Sequence, residues 1–153
     1  MYKELPLLAT KPLMLLPFRL HAFLFESVLS KVFRAQIEDG TCNFMRQRWL
    51  QIKISDLGAT WYFSLDPQNR IIMSKNAFAD VSITGNLNEF ILLAAQREDP
   101  DTLFFQRRLM IEGDTELGLE IKNLMDSADL QLLSKELRFL ISGAGEWVTL
   151  STG

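Results

Sequence analysis

The chain has 153 residues, of which 48% are hydrophobic and 23% charged, with a net charge of −3. That composition excludes a disordered chain and fits one globular domain with a short appendage. Residues 1–35 carry Lys3, Lys11, Arg19, Lys31 and Arg34 against Glu4 and Glu26, a balance of +3, which leaves −6 for the remainder. An acidic body excludes nucleic acid as a partner, because phosphate contacts need a basic face.

Residues 1–36 read as an apolar, basic N-terminal segment. The first sixteen are Leu/Pro-rich and irregular, with one helical turn at Pro12. Glu4 and the early prolines argue against a secretory signal. The uncharged stretch Pro12–Phe18 ends at Arg19, too short for the roughly 20 apolar residues of a membrane-spanning helix. Pro17 is placed to open a helix running to about Arg34. Its polar side is narrow (Arg19, Glu26, Ser27, Ser30, Arg34), so it is expected either to be buried on two sides or to lie against a membrane or partner. Leu13, Leu16, Arg19, Leu20, Phe23, Leu24, Lys31 and Arg34 are the expected membrane contacts: apolar residues for the interface, cations for anionic head groups.

After a connector over residues 36–46, short strands follow. Trp49–Ser55 alternates Leu50, Ile52 and Ile54 with polar residues, and Trp61, Phe63 and Leu65 share one face of Thr60–Asp66. Asp66-Pro67-Gln68-Asn69 is a strong turn. Arg70–Lys75 and Ala79–Thr84 add two strands, and connections this short favour antiparallel pairing. Asn86 with Glu89 predicts a capping box at the head of a helix carrying Leu87, Phe90 and Ile91. Arg107–Glu112 is a fifth strand, and Asp114 caps a helix lined by Leu117, Ile121 and Leu124. A last helix is expected over 128–141 with Gly143 at its end, and 146–153 forms a tail.

Little catalytic chemistry is available. One histidine, His21, and one cysteine, Cys42, preclude a His/Cys zinc set within one chain, and a lone cysteine allows no internal disulfide and suits a reducing compartment. The carboxylate clusters Glu38/Asp39, Glu98/Asp99/Asp101 and Glu112/Asp114/Glu116 each fall at an element boundary, where turn and cap chemistry accounts for them. Gly113-Asp114-Thr115-Glu116-Leu117-Gly118 has acids where a phosphate loop needs donors. No metal, cofactor or catalytic residue is expected. What remains is apolar surface in excess of what a closed core requires, able to line a pocket.

The run "ADVSITGNLNEFILLAAQREDPDTLFFQRRLMIEGDTELGLEIKNLMD" at 79–126 resembles the lipid-binding domain of the sterol carrier protein 2 family. Within it, the chain is similar to bacterial accessory factors of oxygen-independent ubiquinone biosynthesis. The resemblance implies an α+β fold at residues 37–145, with a five-stranded antiparallel sheet covered by helices around an apolar cavity. It implies Phe90, Ile91, Phe104, Phe105, Leu109, Ile111, Leu117, Ile121 and Leu124 as lipid-binding positions. The implied function is non-enzymatic: holding or presenting a polyprenyl intermediate or membrane lipid to partner enzymes, a peptidase-like hydroxylase pair among them. The implied setting is cytoplasmic and peripheral on the inner membrane, with a homodimer left open. The alternative is an assembly adaptor for a membrane-associated complex that binds protein partners through the N-terminal helix and no lipid, to be told from a carrier by deleting residues 1–35.

Overall fold

The computed structural model describes residues 16–152. The expectations for the first fifteen residues, Leu13 among them, lie outside these. Helix α1 (Phe18–Val32) starts directly after Pro17, whose φ of −57° is already set for helix entry. A short α2 (Arg34–Glu38) and a 3₁₀ turn (Thr41–Met45) lead into strands β1 (Leu50–Ile54), β2 (Ala59–Leu65), β3 (Ile71–Ser74) and β4 (Val81–Gly85). Then come α3 (Leu87–Ala94), α4 (Pro100–Phe105), β5 (Leu109–Gly113), α5 (Thr115–Asp126), a 3₁₀ turn (Leu130–Leu132) and α6 (Lys135–Thr152).

The strands form one sheet in the order β3-β2-β1-β4-β5. One row crosses it as Met73, Phe63, Leu50, Val81 and Gly113, and the next includes Trp61, Ile52, Ile83 and Ile111. Because side chains alternate along a strand, these rows share one apolar face. The opposite face is wetter: Gln51 Nε2 donates to the Tyr62 hydroxyl at 3.1 Å, and Ser82 Oγ donates to Gln51 Oε1 at 2.8 Å.

The sheet is mixed, whereas a purely antiparallel one was expected: β1 and β4 pair in parallel. The register shows why a short connection suffices. Ser74, at the end of β3, lies opposite Tyr62, which faces Gln51, while Val81, at the start of β4, faces Leu50. The link over 75–80 therefore ends almost at the level where it began. It has only to run sideways across three strand spacings, about 14 Å, within reach of six residues.

Helix starts follow local chemistry, with one substitution of partner. Asp99 accepts the Thr102 N–H at 2.7 Å ahead of Pro100, and Asp114 accepts the Leu117 N–H at 3.0 Å. At α3 the expected capping box does not form. Asp56, in the β1–β2 turn, accepts the Leu87 N–H at 2.9 Å instead, and Glu89 accepts from Arg108 Nε at 3.2 Å. A carboxylate fixed in a neighbouring turn thus takes over the capping role. The last helix also departs from expectation: residues 130–132 form a 3₁₀ turn, and α6 passes through Gly143 to Thr152. Packing against α3 supports it, with Gly145 so close to Ala95 that a Cβ there would collide with the alanine methyl.

Two features position the site. Gly113 adopts φ +103°, and a Cβ would stand 2.5 Å from the Asp80 carbonyl, so only glycine lets β5 close against the start of β4. At the other edge, α1 lies along β3, and Glu26 Oε1 accepts the outward Met73 N–H at 3.1 Å.

Candidate functional site: an apolar cavity under the first helix

The apolar sheet face is covered unequally. Over β4 and β5, the side chains of Val81, Ile83, Leu103, Leu109 and Leu117 are almost wholly buried and pack into a continuous core. Gly118 lets α5 approach until Ile111 Cγ2 would touch a Cβ at 3.0 Å. Over β1 and β2 the cover stands off, leaving a cavity of about 830 Å³.

Its floor is the inward row of β1 and β2: Leu50, Ile52, Ile54, Trp61, Phe63 and Leu65. One wall is the inner stripe of α1, with His21, Phe25, Val28, Leu29 and Val32 at helical spacing. Phe25 packs on Trp61 (5.3 Å between centroids) and Phe63 (6.4 Å), and the buried His21 stands edge-on to Trp61 at 6.2 Å. The facing wall comes from α3 (Leu87, Phe90, Ile91, Leu93) and the end of α5 (Ile121, Leu124, Met125), with Leu130, Leu133 and Ile141 closing over. The exposed residues Gln96, Arg97, Asp99 and Asp126 stand at its edge, where it reaches solvent.

Polar groups near the cavity serve the fold. Slight desolvation at the rim, followed by the charges of Asp99 and Asp101, raises the pKa of the exposed Asp126 carboxyl. Asp99 is held below its usual range by the hydrogen bonds of its helix cap. Cys42 sits in the wall, and burial, reinforced by Asp39, pushes its thiol up to about 11, so it stays protonated and unreactive near neutrality. Asp39, Asp99 and Asp114, one from each carboxylate cluster, accept local N–H groups at turns or caps. Among the described residues, no group of three or more His, Cys, Asp or Glu could hold a metal ion.

The structure divides the lipid-binding positions implied by resemblance. Phe90, Ile91, Ile121 and Leu124 line the cavity. Leu109 and Leu117 belong to the solid core, and Ile111 packs beside them. Phe104 and Phe105 are on the surface, 5.7 Å apart, with the Lys122 ammonium 5.0 Å from the Phe104 ring. In the six-residue α4, Leu103 takes the inward direction, which turns its neighbours outward. The floor and the α1 wall were absent from that set, although strand alternation and helical spacing both mark them. The membrane-contact set falls outside the cavity: Leu16, Arg19, Leu20, Phe23, Leu24, Lys31 and Arg34 are all exposed.

A one-faced sheet roofed by helices over an apolar hollow defines a small α+β domain with an internal cavity. The sequence profile of the SCP-2 sterol transfer family matches residues 25–126, and the chain belongs to that family. It is 43% identical over 143 residues to the ubiquinone biosynthesis accessory factor UbiT of Escherichia coli K12, and equally to that of strain O157:H7. Each alignment covers 94% of this chain and 82% of the relative. Among solved structures, a UbiJ-SCP2 ubiquinone synthesis protein superposes with a TM-score of 0.57 at 15% identity, over 72% of this chain and 97% of that one, a likeness of fold. No described helix is long and apolar enough to cross a membrane.

Proposed function

We propose that this protein is a non-catalytic accessory factor of ubiquinone biosynthesis that holds a long-chain lipid and presents it to the enzymes of that pathway. The observation that carries the reading is the cavity of about 830 Å³ with an almost wholly hydrocarbon and aromatic lining. A guest there gains about 0.8 kcal/mol per buried methylene, so ten contribute about 8 kcal/mol before the costs of ordering. A polyprenyl intermediate or a membrane lipid has the required chemistry, and the naming of the UbiT relatives supports the pathway. The exposed face of α1, with Leu20, Phe23 and Leu24 beside Arg19 and Lys31, and flanked by the exposed Leu16 and Arg34, supports docking on an anionic membrane from which the guest is taken.

Native mass spectrometry of protein purified without detergent tests the reading. A co-purifying lipid is expected, and its loss in a Val28→Trp/Ile91→Trp variant that fills the cavity from both walls. Protein that is empty after gentle extraction, and that takes up no lipid from vesicles, overturns it.

A second reading, an assembly adaptor without lipid, draws on α6, where Phe139, Leu140 and Leu150 are exposed. Deleting residues 1–35 does not separate the two, because it removes a cavity wall. Replacing Phe139 and Leu150 by Ser separates them: a carrier keeps its lipid and its transfer activity, whereas an adaptor loses its partner enzymes.

A further inference from the structure

The membrane-docking part of the proposed function rests on α1, yet the most exposed large apolar side chain among the described residues is elsewhere. Phe78, at the tip of the 75–80 link, is 96% exposed. A short turn holds the base of this link, where Ser74 Oγ donates to the Asn76 carbonyl at 2.7 Å and accepts the Asn76 N–H at 3.2 Å. The base is also tied to α1: the Lys75 ammonium lies 5.4 Å from the Phe18 ring centroid, in the helical turn that carries Arg19 and Leu20. Three residues reach at most about 11 Å, so the Phe78 backbone stays within that distance of Lys75.

Lys75 and Arg19 are exposed. Glu26 accepts the Met73 N–H at 3.1 Å, and the exposed Asp80 accepts the Trp49 N–H at 2.8 Å. A projecting phenyl ring three residues from an exposed ammonium, with Glu26 and Asp80 each engaged by a backbone N–H, complements an anionic bilayer surface. Such a ring can enter the acyl boundary while the Lys75 ammonium meets a lipid phosphate.

We infer that Phe78 is a second membrane anchor, which together with α1 holds the protein on an anionic bilayer at two points and fixes its orientation there. The inference rests on the docking reading above and adds a site to it. One anchor leaves the molecule free to swivel about α1, while two fix which side of the α1 wall meets the lipid.

The test is flotation of the full chain with vesicles of neutral phosphatidylcholine alone or mixed with phosphatidylglycerol. Wild type is expected to float on the mixed vesicles, Phe78→Ser about tenfold less, and Lys75→Glu to lose only the part that depends on phosphatidylglycerol. At 96% exposure, Phe78→Ser leaves the melting temperature and the retained lipid unchanged. An environment-sensitive fluorophore on Phe78→Cys is expected to shift to the blue on mixed vesicles; Cys42, buried and protonated, takes up little label. If wild type floats but Phe78→Ser floats equally and the label stays water-like, this inference is overturned and the docking of α1 survives. If wild type does not float, both fall, while lipid retention in the cavity stands or falls by mass spectrometry alone. A concentration-dependent dimer that Phe78→Ser abolishes, with flotation unchanged, assigns the ring to a second copy and likewise overturns the inference.

Discussion

The two halves of one sheet face have been put to opposite uses. Over β4 and β5, Leu103, Leu109 and Leu117 are almost completely enclosed, and α5 closes down on Gly118. Over β1 and β2, Ile52, Trp61 and Phe63 face a hollow, and their cover, α1, is held at the rim by aromatic contacts and by Glu26. The hollow half is richer in aromatic side chains, Trp61, Phe63 and Phe25 among them, and the solid half in aliphatic ones. Small residues differ too: Gly85, Gly113 and Gly118 all lie on the solid side, and they let helices and loops approach. Close packing is therefore concentrated in one half and the cavity in the other.

This contrast can be broken by substitution. Leu117→Ala, on the solid side, is expected to cost about 2–5 kcal/mol, read as a shifted urea midpoint with unchanged slope. Loading the hollow half should stabilise it: at a free lipid concentration 100 times Kd, unfolding should cost about 2.7 kcal/mol more than in stripped protein, seen as a higher Tm. Ile52→Ala, at the cavity floor, should cost less than about 2 kcal/mol, because its side chain already lacks neighbours on one side. A loss equal to that of Leu117→Ala would mean that the hollow is filled. Asp114→Ala removes the cap of α5 and should cost about 1 kcal/mol, comparable in loaded and stripped protein.

The smallest effect at neutral pH belongs to Cys42, where the two halves meet. Its folded thiol is raised from 9.0 to about 11, so the unfolded chain ionises first as pH rises. Its contribution to stability is complete below pH 9 and declines as pH climbs from 9 towards 11. Alkylation by iodoacetamide should remain slow up to pH 9 in folded protein, and rapid reaction at pH 8 would show that the wall opens there.

Much of the fold was legible. The five strands fall within one or two residues of their expected bounds, because Leu50/Ile52/Ile54 and Trp61/Phe63/Leu65 alternate so clearly. Asp114 and Gly113 mark the β5–α5 junction by side-chain chemistry that depends only on near neighbours. The misses were non-local. The parallel β1–β4 pair is a matter of register across the sheet, and the α3 cap is supplied from 31 residues away by Asp56. The course of α6 beyond Gly143 depends on its packing against Ala95. The site was legible in pattern and harder in sense. Periodicity shows that Val28, Ile52 and Leu117 all face inward, but not that Leu117 meets solid packing while the other two meet a void. That difference lies in the separation between helix and sheet, which no single residue encodes.

The bond from Glu26 to the Met73 amide has a consequence for how such a container must be handled. The same helix walls the chamber and shields the outer margin of β3, so any displacement of it would bare an unpaired backbone rim along with the oily interior. Such a rim is a template for adhesion between chains. An opened, vacant molecule is thus the form most prone to clump, and exchange of contents is safest where another surface already covers the gap.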